Sequence, residues 1–164
     1  MPLYGAPLLA ARFPRAYVDV NREPFELDPD LFAERIPAFA NAQSIRVVGG
    51  LGTIPRIVAD GEDIYAGRLP LGIAFERIDR LYRPFHATLA DLLEATRQKF
   101  GMAVLIDCHS MPSSSMGQTA SARPHFVLGD RFGASCDGRL TRFVRQRLAG
   151  MGYEVQLNRP YAGG

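Results

Sequence analysis

The chain has 164 residues, enough for one domain with a sizeable core, and its 47% hydrophobic and 22% charged content argues against disorder. A net charge of +2 is too small to point to nucleic acid or an acidic membrane, and seven arginines between Arg123 and Arg159 read as a solvated basic face. Two cysteines, Cys108 and Cys136, fit no CxxC pattern, so no disulfide framework is expected and a reducing cytoplasm is the default compartment.

The start, "MPLYGAPLLAARFPR", lacks a basic region ahead of a long apolar core, which predicts no signal peptide. No apolar run reaches the roughly 18 residues of a membrane-spanning helix, so a soluble protein is expected. The first predicted strand is "AYVDV" (16–20), followed by a helix over "DPDLFAERIPAF" (28–39) with capping aspartates and an early proline. "SIRVVG" (44–49) reads as the second strand. Over 73–100, Ile78, Leu81, Tyr82, Phe85, Leu89, Leu92, Leu93 and Phe100 recur at steps of three and four, which marks one face of a long helix. Pro84 lies inside it and should kink or interrupt it. "AVLIDC" (103–108) and "HFVLGD" (125–130) are further strands, with Cys108 expected in the core. A helix over 137–149 sets Leu140, Phe143, Val144 and Leu148 against arginines, and Gly150 and Gly152 end it ahead of the strand "YEVQLN" (153–158).

Strands alternating with helices predict an α/β fold, a three-layer sandwich around a mixed, mostly parallel sheet. No repeat and no composition shift divides the chain, so residues 1–164 read as one domain. "NRPYAGG" stops on a glycine pair directly after a core strand, which reads as truncation.

In open α/β sheets, ligands gather beyond the carboxyl ends of strands, and Asp107 and His109 fall at such an end. Two residues apart, they project to one side of extended chain. Imidazole is a common metal ligand whose tautomer a carboxylate can fix; the competing reading is a histidine satisfied by its own aspartate. A second cluster lies in "YVDVNREPFELDP", where Asp19 and Asn21 share a side of their strand and Arg22 follows. A guanidinium beside an amide suits a substrate carboxylate; an arginine simply paired with Asp19 or Glu23 is the alternative. "GGLGTIP" puts Pro55 where a dinucleotide loop needs glycine and reads as a turn, and "GASCDG" fails the G-x-S-x-G register. His86 and His125 read as packing or surface residues.

The stretches "VDVNREPFELDP", "GLGTIPRIV", "RIDRLYRPFHATL", "VLIDCHSMPS", "HFVLGDRFGASC" and "LNRPYAGG" together resemble the N-formylglutamate amidohydrolase family, in the family's order and over nearly the whole chain. D-x-N-R and D-x-H are also similar to acylase relatives of the zinc carboxypeptidases. The resemblance implies a zinc-peptidase-like fold and hydrolysis of an N-acyl amino acid, conventionally N-formylglutamate to formate and glutamate in histidine breakdown. It makes His109 a ligand of one Zn²⁺ and Asp107 its outer partner. It gives Asn21 and Arg22 to the substrate's carboxylate, Asp19 to steadying the arginine, and Arg131 to substrate binding. Zinc with an open position would lower the pKa of bound water to about 7. The family's two other ligands belong upstream, in a His-Ser-Gly stretch and a following acidic residue, and its general-base glutamate belongs beyond Gly164. On this basis the chain is the central part of a zinc-dependent hydrolase; the alternative is an inactive fragment or a binding module that keeps only the carboxylate clamp. No nucleic-acid or membrane partner is expected.

Overall fold

Five apolar or β-branched stretches compete for strand partners, and two of them find each other. The computed structural model describes residues 5–58, 61–111 and 124–163. The chain divides into two units, Met1–Ile106 and Asp107–Gly164.

In the first unit the predicted strand 16–20 is instead a turn, closed by the Tyr17 amide on the Pro14 carbonyl at 2.9 Å. The predicted strand 44–49 is a short helix, α1 (Ile45–Val48). Its β-branched residues argued for a strand, but Ser44 accepts a hydrogen bond from the Val47 amide at 3.1 Å and caps a helix there. The predicted helix 28–39 forms only a turn. Asp28 takes the Asp30 amide and its carbonyl takes that of Leu31, after which Phe32 bridges to Leu69. That bridge buries Leu31 and Phe32 side by side in a core with Val18, Leu27, Ile54, Ala74, Ile78 and Tyr82. Each such large side chain contributes about 1.5–3 kcal/mol through burial.

The long helix forms as predicted and is not broken at Pro84. It runs as α2 (Leu71–Arg77), a π turn (Ile78–Tyr82) and α3 (Arg83–Phe100). Proline lacks an amide hydrogen and crowds the carbonyl four residues back. A π turn lies just before it, where the Arg83 amide donates to the Ile78 carbonyl five residues back. Gly101, at φ 77°, ends α3 in the left-handed conformation that glycine tolerates. The following stretch, predicted as a strand over 103–108, joins no ladder among the described residues, and Met102, Leu105 and Ile106 are exposed. Cys108 is exposed too, not the core residue expected from its place in an apolar run.

The second unit holds β1 (Phe126–Leu128), α4 (Gly138–Gly150) and β2 (Val155–Leu157). The strands pair in parallel, Phe126 with Val155 and Leu128 with Leu157, as a helical crossover requires. The fold class is therefore α/β with a small parallel sheet. Asp137 caps α4 by accepting from the Arg139 amide at 2.8 Å. Beyond β1, Gly129 meets the backbone of Ala162 and Gly163: a Cβ at 129 would lie 2.4 Å from the Gly163 nitrogen. No helix among the described residues is long and apolar enough to cross a membrane.

Candidate functional site

The D-x-N-R stretch works through a turn, not through strand alternation. Asp19 is buried, and its Oδ1 accepts the Asn21 amide at 3.0 Å. Its two carboxylate oxygens also receive Arg15 Nε at 3.1 Å and Nη2 at 2.7 Å, a bidentate pair. Arg22 approaches the same carboxylate only to 3.5 Å. The Arg22 side chain is 9% exposed, with Nε donating to the Leu51 carbonyl at 3.1 Å and Nη1 to that of Asn21 at 2.7 Å. Burial lowers its pKa; the Asp19 charge opposes the shift, while Arg46 and Arg15 add to it. Guanidinium stays protonated nonetheless, so Arg22 is a cation whose nearest carboxylate already serves Arg15.

The backbone around Arg22 is fixed from two sides. Thr53, fully buried, donates its hydroxyl to the Glu23 carbonyl, and its own carbonyl takes the Asp19 amide at 2.9 Å. From the helix, the Tyr82 hydroxyl donates to the Arg22 carbonyl at 2.6 Å and His86 Nε2 to that of Val20 at 2.8 Å. Burial first, then the charges of Glu23, Glu26 and Asp19, raise the Tyr82 pKa, which keeps it a donor. "GGLGTIP" is a turn, as its sequence implies, and Gly52 is needed there because a Cβ would strike the Glu26 carbonyl oxygen at 2.3 Å.

In the second unit His109 Nε2 lies 2.8 Å from Asp107 Oδ2, with the side chains 41% and 59% exposed. The carboxylate can only accept, so the ring donates to it from Nε2. A zinc site needs three protein ligands, and no group of three or more His, Cys, Asp and Glu side chains converges among the described residues. Those residues therefore do not by themselves hold the ion. Arg131 is exposed on a turn in which it, Phe132 and Gly133 all have positive φ. Beneath it Asp130 accepts from Asn158 Nδ2 at 2.8 Å, the Thr141 hydroxyl at 2.8 Å and the Gly133 amide at 3.0 Å. These donors, Asn158 foremost, hold the Asp130 pKa below the usual carboxylate range. His125 accepts the Glu154 amide on Nδ1 at 3.0 Å, a structural role as expected.

Residues 1–164 match the model of the N-formylglutamate amidohydrolase family. The chain belongs to that family. It is 33% identical to the N-formylglutamate deformylase of Pseudomonas putida over 167 residues, covering 98% of this chain and 55% of that protein. The deformylase of Pseudomonas aeruginosa matches at 33% over 165 residues, with the same coverage. Among solved structures, the N-formylglutamate amidohydrolase of Ralstonia eutropha JMP134 superimposes with a TM-score of 0.86 at 35% identity, covering 94% of this chain and 56% of that one. The chain thus spans about half the length of the relatives it matches.

In this member of the N-formylglutamate amidohydrolase family, four side chains that the sequence reading did not name as site residues, Arg15, Thr53, Tyr82 and His86, bond around Asp19, Asn21 and Arg22. Arg15 lies one helical step before Asp19, a spacing that can be read locally. Tyr82 and His86 reach their carbonyls across 60 and 66 residues, which no local pattern signals.

Proposed function

We propose that the protein carrying this chain hydrolyses N-formyl-L-glutamate to formate and L-glutamate, and that Arg22 and Asn21 receive a carboxylate of the substrate. Family membership supports the reaction. The observation supporting the clamp is the shared Asp19: one carboxylate, bonded in bidentate fashion to Arg15, leaves buried Arg22 with its counter-charge at 3.5 Å. An arriving carboxylate would add a direct charge-assisted bond to that 3.5 Å pair.

In the same reading Arg131 is a further substrate contact, and Asp107 orients His109 as one ligand of a zinc ion. That ion would need ligands that the described residues do not supply. A zinc-peptidase-like three-layer sandwich and a cytoplasmic place in histidine degradation belong to this reading as well. The test is deformylation of N-formyl-L-glutamate by the wild-type protein and by Arg22→Met. The variant should raise KM by roughly tenfold or more with a smaller change in kcat, since it removes binding rather than chemistry. An unchanged KM would remove the clamp from the proposal.

A second reading, a binding module for acidic amino acids, is favoured by one observation. Arg15, Thr53, Tyr82 and His86, all in the first unit, bond the side chains and backbone of residues 19–23. It expects calorimetric glutamate binding that a chelator leaves intact, and no formate release.

A further inference from the structure

The "RIDRLYRPFHATL" stretch has no role in the reaction as described, yet it supplies both helical donors that hold the clamp. We propose that Tyr82 and His86 are positioning residues for Arg22, fixing the backbone of residues 20–22 so that the guanidinium meets a substrate carboxylate in one orientation. This rests on the clamp reading above.

Residues 20–23 lie outside any helix or sheet ladder, so their carbonyls need partners from elsewhere. Each has one. Val20 receives His86, Asn21 receives the Arg22 side chain, Arg22 receives Tyr82, and Glu23 receives Thr53. Glu23 also takes the Glu26 amide, and two of the four side-chain donors come from a single helix face. Tyr82 and His86 are four residues apart, with ring centroids 4.3 Å apart, so each ring also braces the other.

The π turn explains how that face is available. Ala74, Ile78, Tyr82 and His86 are spaced by four, and the first three are buried. In a regular α-helix each four-residue step drifts by about 40°, so the series would rotate by about 120° between Ala74 and His86. The wider π turn over Ile78–Tyr82 takes back much of that rotation and keeps core and donors on one side. The Tyr82 ring then fills the core while its hydroxyl meets the Arg22 carbonyl. Because the Arg22 side chain bonds the Asn21 carbonyl, loosening residues 20–22 moves the guanidinium directly.

The experiment uses the protein carrying this chain, with Tyr82→Phe, His86→Leu, His86→Gln and Arg22→Met. KM and kcat for N-formyl-L-glutamate are measured together with inhibition by L-glutamate. Tyr82→Phe and His86→Leu should each raise KM and the glutamate inhibition constant by roughly threefold to tenfold, the size of one lost hydrogen bond. kcat should change by less than about twofold, because these variants remove binding rather than chemistry. His86→Gln should recover most of the loss, since its amide can donate to the same carbonyl. In the Arg22→Met background Tyr82→Phe should add nothing further. The inference is overturned if Arg22→Met weakens glutamate while Tyr82→Phe and His86→Leu do not, or if the helix variants lower kcat as much as they weaken glutamate, as a general loss of structure would. If Arg22→Met itself leaves glutamate unaffected, the clamp reading fails and this inference fails with it.

Discussion

Asp19-x-Asn21 and Asp107-x-His109 have the same spacing and opposite surroundings. In the first, the carboxylate is buried, bonded to a guanidinium and a backbone amide, and flanked by donors from distant parts of the chain. In the second, an imidazole and a carboxylate bond each other in the open. A polar pair is rigid when long-range contacts decide its geometry, and adaptable when its own sequence supplies the partner.

The largest effect expected on this contrast comes from Asp19→Ala. It leaves Arg22 buried without a carboxylate and should cost roughly 3–5 kcal/mol, read from urea denaturation. A cost below about 1 kcal/mol would mean that the first motif is no more anchored than the second. Next, Ile78→Ala should cost roughly 2–5 kcal/mol because its side chain is fully buried, whereas Ile106→Ala, 72% exposed, should stay within about 0.5 kcal/mol. Equal costs would erase the distinction between core and open segment.

An intermediate effect should appear on acidification. The Asp130 carboxyl, whose ordinary pKa is 3.8, is held lower by Asn158, Thr141 and Gly133. Its contribution is therefore complete above that ordinary value and is lost as pH falls through the lowered one. Amide exchange at residues 131–133 should quicken over that interval in the wild type and lose this dependence in Asp130→Asn. A wild-type profile flat down to the acid limit would contradict the assignment. The smallest effect belongs to Asp107→Ala, expected to change stability by less than about 1 kcal/mol, as exposed pairs do. A larger loss would show the second motif to be as anchored as the first.

Much of the second unit could be read from sequence, because its signals are local. Asp137 announced α4, and the strands on either side of that helix carried apolar residues with turn glycines nearby. The first unit was harder. Ser44 is a capping residue that the β-branched pattern around it outweighed, Asp28 was read as opening a helix but closes only a turn, and residues 16–20 turn because Pro14 starts the turn. Asp19 and Arg22 were recognisable by residue type, but their working geometry depends on Thr53, Tyr82 and His86, which only the fold brings near.

The closeness of Gly129 to Gly163 has a consequence for alignment. Both positions need hydrogen as a side chain: a Cβ on Gly163 would sit 2.9 Å from the Gly129 carbonyl oxygen, and one on Gly129 closer still to the opposing chain. Sliding the tail by one position would drive the Ala162 methyl into that gap. Two missing side chains thus act as a detent, giving the segment one seating, with the Arg131 amide latched to the Ala162 carbonyl at 2.7 Å.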